Sequence, residues 1–202
     1  YGVFLAIRPN EENRVNTGRE TFILPVDWSG EFPVFENGLV PIEPKLKMPK
    51  GVTNKTGQDG FIPNGNFTYE EDFSSDKLDF RWIGLRGPRE AFIKKTKKGL
   101  EITPFSTNIK ERKPTSTLFH RQQHKTFPFS TTLEYQPKTE KDMAGVTAYQ
   151  NENSNYVFGI TKKGKKNFLV LQKNSKPDRR SETVSEILAT EPIELNGPVD
   201  LK

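Results

Sequence analysis

The stretch Phe127-Pro128-Phe129-Ser130-Thr131-Thr132-Leu133-Glu134-Tyr135 decides the fold class. Phe127, Phe129, Thr131, Leu133 and Tyr135 alternate with Pro128, Ser130, Thr132 and Glu134, so an extended segment here is apolar on one face and wet on the other. The alternation predicts a half-buried strand. Met143 to Gln150 predicts the next strand, the polar run Asn151 to Asn155 a turn, and Tyr156, Phe158 and Ile160 alternating with Val157, Gly159 and Thr161 the returning strand. Lys162, Lys163, Gly164, Lys165 and Lys166 form a second polar tip. Phe168 to Leu171 then suits a strand covered on both faces. Three antiparallel neighbours with one face turned to a core need a second layer, which predicts an all-β antiparallel sandwich.

The composition agrees with that class. A chain of 202 residues can bury one sizeable core, and hydrophobic content of 32% with 15 Gly and 15 Pro suits a turn-rich β protein. Fifteen Phe against two Met implies a core of aromatic rings standing on pleated sheets. Net charge is +5, but acids and bases are interspersed, and a basic pI alone does not indicate a nucleic-acid partner. The absence of cysteine excludes disulfides, thiolate metal sites and cysteine nucleophiles. No apolar run approaches the ~20 residues of a membrane-spanning helix, so no membrane partner is expected.

Upstream, Tyr1, Val3, Leu5 and Ile7 alternate as a strand already inside a sheet, and Phe22, Leu24, Val26 and Trp28 read as its neighbour. Residues 1–38 are expected to close one domain. From Leu39 to Gly65 prolines, glycines and lysines replace the pattern, which reads as a linker crossing a surface, and 66–202 is expected to be the sandwich. Within it Leu78, Phe80 and Trp82 are expected to share a strand face. Leu100 to Ile102 and Thr117 to Gln123 mark short strands, Thr183 to Leu188 and Ile193 to Leu195 two more, and Gly197 to Lys202 the entry to another.

Two stretches carry a family resemblance. Gly18-Arg19-Glu20-Thr21-Phe22-Ile23-Leu24-Pro25-Val26, with Trp28 and Phe32-Pro33-Val34, resembles the end of the five-bladed propeller of glycoside hydrolase family 43, the β-xylosidase and α-L-arabinofuranosidase group. Leu78 to Pro88 (LDFRWIGLRGP), Leu118 to Gln123 (LFHRQQ), Phe129 to Tyr135 and Met143 to Tyr156 resemble the concanavalin-like jelly roll that follows that propeller. The resemblance implies a C-terminal part of an inverting glycosidase, truncated at both ends. Its xylo- or arabino-oligosaccharide substrate would lie mainly in an upstream propeller of the same polypeptide. It implies that the catalytic carboxylates lie on earlier blades, so none is named in this chain, and that Arg19 lies in the sugar pocket. A guanidinium fork suits vicinal hydroxyls and a nearby carboxylate. No cofactor is expected, although some propellers of the family hold calcium. The compartment stays open, with a periplasmic or secreted bacterial enzyme favoured over a cytoplasmic one. The competing reading is a free-standing carbohydrate-binding sandwich.

Other candidates have plainer explanations. Arg19 itself could pair with Glu20 or another acid. His120 and His124 are four apart, which in a strand or loop does not align them, and zinc would need further carboxylates. Glu70, Glu71 and Asp72 are adjacent and point to alternate faces, whereas glycosidase carboxylates face each other across ~5–9.5 Å. Lys94, Lys95, Lys97 and Lys98, with Lys162, Lys163, Lys165 and Lys166, read as solvated hairpin tips rather than a nucleic-acid patch. Trp82, Tyr149, Tyr156 and Phe158 read as core rings, with a sugar-stacking platform as the sharper possibility.

Overall fold

The structure, a computed structural model, describes residues 1–15, 17–35, 42, 46–47, 50–51, 66–178 and 180–202. The chain divides into two compact units. One comprises Tyr1–Glu71 with Gln122–Thr126, the other Asp72–Arg121 with Phe127–Lys202. Apart from Ile42, Leu46, Lys47, Lys50 and Gly51, the expected linker over 39–65 lies outside the described residues.

In the first unit β1 (Gly2–Ile7) pairs antiparallel with β2 (Arg19–Leu24), Gly2 opposite Leu24 and Ile7 opposite Arg19. Pro25 has no N–H for a ladder, and the run expected to continue to Trp28 breaks there into the short pair β3 (Val26–Asp27) and β4 (Val34–Phe35). Both faces of the β1–β2 hairpin are apolar. On one, Phe4 stacks on Phe22 at 6.0 Å and meets the edge of Phe35 at 5.4 Å, with Leu24 buried beside them. The other carries Tyr1, Val3, Leu5, Ile7 and Ile23, all more than half exposed. The alternation of Tyr1, Val3, Leu5 and Ile7 thus marks a strand, but the face covered within this unit is the opposite one.

The second unit contains β5 (Trp82–Gly84), a 3-10 turn at Arg89–Ala91, β6 (Ile93–Thr96), β7 (Gly99–Ile102), β8 (Leu118–His120) and β9 (Thr131–Leu133). Then follow β10 (Met143–Asn151), β11 (Ser154–Lys163), β12 (Lys166–Ser175), β13 (Val184–Ile193) and β14 (Val199–Leu201). All pairings are antiparallel: β10-β11-β12-β13 form a meander, and β5 pairs β8, β6 pairs β7, and β9 pairs β14. The fold is therefore an all-β sandwich of antiparallel sheets preceded by extra strands. Ile160 on β11, Val170 on β12, Leu201 on β14 and Phe92 are its buried apolar anchors. The two-residue turn between β11 and β12 needs positive φ at its first position, which Gly164 supplies at 58°. At the other end of β11 the buried Asn155 and Asn174 face each other. Asn174 Nδ2 donates to Asn155 Oδ1 at 2.7 Å, and Gln172 and Ser185 both donate to Asn174 Oδ1, so these buried amides do not go unsatisfied.

Several sequence expectations fail for local reasons. The strand expected over 127–135 shrinks to β9, because Pro128 offers no N–H and Phe127 and Phe129 are exposed. The expected strand through Leu78, Phe80 and Trp82 is instead a turn leading into β5, and Phe80 is 83% exposed. Arg89 causes this: its guanidinium donates to the carbonyls of Leu78, Asp79 and Trp82, gathering three acceptors that an extended strand would spread apart. The two strands expected over 183–195 are one, β13, bulged near Gln172 of its partner. Strand β6 had no expectation, since its IKKT sequence hides the pattern among lysines.

Asp79 closes the same turn. Its carboxylate accepts from Arg81 Nε at 2.9 Å, Arg81 Nη2 at 2.7 Å and the Arg81 backbone N–H at 2.8 Å. These bonds, the guanidinium's first, hold its pKa down from 3.8 to about 2. Because the folded state favours the charged form, the stabilisation is complete above the ordinary pKa and disappears as pH falls through about 2. Asp79→Asn is expected to lower Tm at pH 7, and its gap to the wild type to close between about pH 4 and pH 2. A gap unchanged across that range in a thermal-melt series would refute the assignment.

Candidate functional site

The first unit gathers a cluster of charges around the start of β2. Successive residues of a strand face opposite ways, so Arg19 projects with Thr21 and Ile23 while Glu20 projects with Phe22 and Leu24. Glu20 is taken by Arg8 across the hairpin: both Arg8 Nε and Nη2 donate to its two carboxylate oxygens, the second at 2.6 Å. Those bonds hold the Glu20 carboxyl below the usual range, and Lys125 adds a smaller pull in the same direction. Arg19, on the opposite face of the strand, forms no ion pair with Glu20. Among the described residues the Arg19 side chain makes no hydrogen bond or ion pair, and it is exposed. Gly18 precedes it at φ 78°, a turn that admits an L side chain only with strain.

The chain after β1 is internally braced over Asn10–Arg14. Asn10 Oδ1 accepts from the backbone N–H of Glu12 at 3.1 Å and of Arg14 at 2.8 Å, and the Asn10 N–H donates to the Arg14 carbonyl at 2.8 Å. Lys125 Nζ donates to the Pro9 carbonyl at 2.8 Å, and the ring of His124 stands edge-on to Phe67 at 5.2 Å. Sequence reasoning singled out Arg19 but missed Arg8 and Lys125. The first is legible only once the hairpin register is known, and the second is 116 residues from its acceptor.

The remaining candidates fall elsewhere. His120 lies in the second unit against Trp82, ring centroids 5.3 Å apart, while His124 belongs to the first. Among the described residues no three His, Asp or Glu side chains converge on a metal-sized site. Glu71 accepts from the Tyr69 hydroxyl at 3.1 Å and Asp72 from the Ser74 N–H at 2.8 Å, so the acidic run forms local turn bonds. The lysines at 94–98 border the β6–β7 turn, where Lys94 lies opposite Glu101, and those at 162–166 border the β11–β12 turn. The four candidate rings do not form one platform. Tyr156 and Phe158 line an open hollow of about 360 Å³ with Val146, Ala148, Leu171 and Lys202. Tyr149, opposite Asn155, projects to the other face of that sheet and tilts against Phe119 at 5.2 Å, while Trp82 packs between Phe73 and His120. Glu152, which sequence reading placed in a turn, is buried between Arg86 and Arg112, with Arg86 Nη2 at 2.9 Å. Its carboxyl is held below the usual range first by its own backbone N–H and then by Arg112.

A family model described as the beta xylosidase C-terminal Concanavalin A-like domain matches residues 70–201. A crystal structure of a GH43_12 protein retrieved from the capybara gut metagenome shares 56% identity at a TM-score of 0.86, over 98% of this chain and 37% of that one. A non-reducing end alpha-L-arabinofuranosidase of Bacteroides ovatus is 25% identical over 94% of this chain and 35% of its own length. A xylosidase/arabinosidase of Butyrivibrio fibrisolvens is 29% identical over 84% of this chain and 32% of its own length. The chain thus spans about a third of the length of the curated relatives it matches. The match over 70–201 shows that this chain belongs to the C-terminal concanavalin A-like domain family of the family 43 glycoside hydrolases.

Proposed function

We propose that this chain is the C-terminal part of a glycosidase that hydrolyses, with inversion, the glycosidic bonds of xylose- or arabinose-containing hemicellulose oligosaccharides. Residues 1–38 would be the last strands of its catalytic propeller, and the sandwich from about residue 66 would support or rim the sugar pocket. Arg19 would bind substrate. The observation that carries this reading is the division of charge at β2: Glu20 is consumed by Arg8, leaving a guanidinium fork exposed and unpaired among the described residues. Such a fork suits vicinal hydroxyls and a carboxylate supplied by the rest of the pocket. The exposed apolar face of Tyr1, Val3, Leu5, Ile7 and Ile23 supports a covering neighbour, and the upstream propeller of the same polypeptide fits that role. The acid and base would come from that propeller, facing each other across the bond with room for a water.

The test is hydrolysis of aryl xyloside and aryl arabinofuranoside by the longer polypeptide, by a version ending before Leu39, and by this chain alone. Activity confined to the longest form is the expected result, and the ratio of the two substrates names the preferred sugar. Inactivity of all three, with oligosaccharide binding by this chain, would instead favour a free-standing binding module.

A further inference from the structure

We propose that Lys125 is a positioning residue for Arg19, acting through the loop that leads into β2; the proposal rests on the substrate-binding reading of Arg19 above. Residues Gln122–Thr126 belong to the first unit although the chain on either side of them belongs to the second. Within the first unit this short segment is braced by one internal bond and meets the rest of the unit at Phe67 and Pro9. Gln122 Nε2 donates to the His124 carbonyl at 2.6 Å, His124 stands against Phe67, and Lys125 Nζ donates to the Pro9 carbonyl.

From Pro9 the connection to Arg19 is short. Arg8, next to Pro9, grips Glu20, and Glu20 adjoins Arg19. The Asn10 bonds stiffen the loop over Asn10–Arg14, and Gly18, at φ 78°, leads directly into Arg19. Lys125 therefore fixes the loop at Pro9, between the Arg8–Glu20 pair and the bonds over Asn10–Arg14. An ammonium at the Pro9 carbonyl also adds a second cation near Glu20. This keeps the acid occupied on its own face of the hairpin.

The tether predicts a loss of placement rather than of folding. In the longer polypeptide, Lys125→Met is expected to lower kcat/KM for an aryl pentoside at least about tenfold, mainly through kcat, as misplacement of a pocket group does. Tm should move by no more than about 2 °C, because an exposed hydrogen bond contributes little to global stability. Lys125→Arg, which can still donate to the Pro9 carbonyl, should restore most of the activity. Amide hydrogen exchange of residues 8–20 should quicken in Lys125→Met about tenfold while the rest of the chain is unchanged. Kinetics and exchange both within about twofold of wild type would overturn the proposal. So would a loss that follows Tm and that arginine does not rescue. If the longer polypeptide hydrolyses neither aryl pentoside, the glycosidase reading fails on its own, and the exchange comparison alone decides the tether: quickened exchange at 8–20 upholds it and unchanged exchange overturns it.

Discussion

Arg19→Ala in the longer polypeptide is expected to lower kcat/KM on aryl pentosides by about 10²–10³, the range typical of removing one fixed electrostatic donor from a pocket. Stability should barely change, since surface positions without partners usually move it by less than about 0.5 kcal/mol, and Arg19 is exposed with no partner among the described residues. The same reasoning separates Arg19 from Arg8. Loss of Arg8 would leave Glu20 without its bidentate partner, at a cost of order 1 kcal/mol for a partly exposed pair. Arg19→Lys keeps the charge but not the fork, so it should recover only part of the activity. Kinetics of Arg19→Ala indistinguishable from wild type would end the claim that this residue touches substrate.

Gly145→Ala is expected to be the most destabilising single substitution in the sandwich, by about 3 kcal/mol or more, at the upper end of overpacking costs. Gly145 and Gly159 are register partners on β10 and β11. A Cβ on Gly145 would lie 2.1 Å from the Phe158 carbonyl oxygen and 2.4 Å from the Gly159 Cα, and one on Gly159 would lie 2.5 Å from the Ala144 carbonyl oxygen. Every one of those neighbours is backbone, so no side chain can swing aside and the ladder itself must part. Gly197→Ala serves as the control, because nothing lies within 4 Å of the added carbon. Urea denaturation of the three proteins measures the difference, and a Gly145→Ala midpoint equal to that of Gly197→Ala would show that the two strands do not approach this closely.

Where the pattern in the sequence was dense, the structure follows it. The alternating and apolar runs from Met143 to Leu171 became three long strands of one meander, extended by a residue or more at their ends as the turns tightened to two residues. Where apolar residues were sparse or prolines intervened, the pattern misled. Phe80 reads as a core ring by spacing, yet it stands in solvent because Arg89 draws three carbonyls into a turn, and no local periodicity signals a guanidinium seven to eleven residues away.

The candidate site divides in the same way. The sequence by itself determined the all-β class, the antiparallel meander and the family, because period-two burial and a contiguous motif are local properties of the chain, and that motif is also what makes Arg19 the candidate. Only the tertiary structure decided which acid Arg19 does not pair with, which face of the first hairpin is covered, and that Lys125 sits on the Pro9 carbonyl. Those outcomes depend on strand register and on a segment returning from 116 residues away. Hydrogen bonds at such separations leave no period in the sequence, since each needs one donor to meet one acceptor only after the fold has brought them within 3 Å.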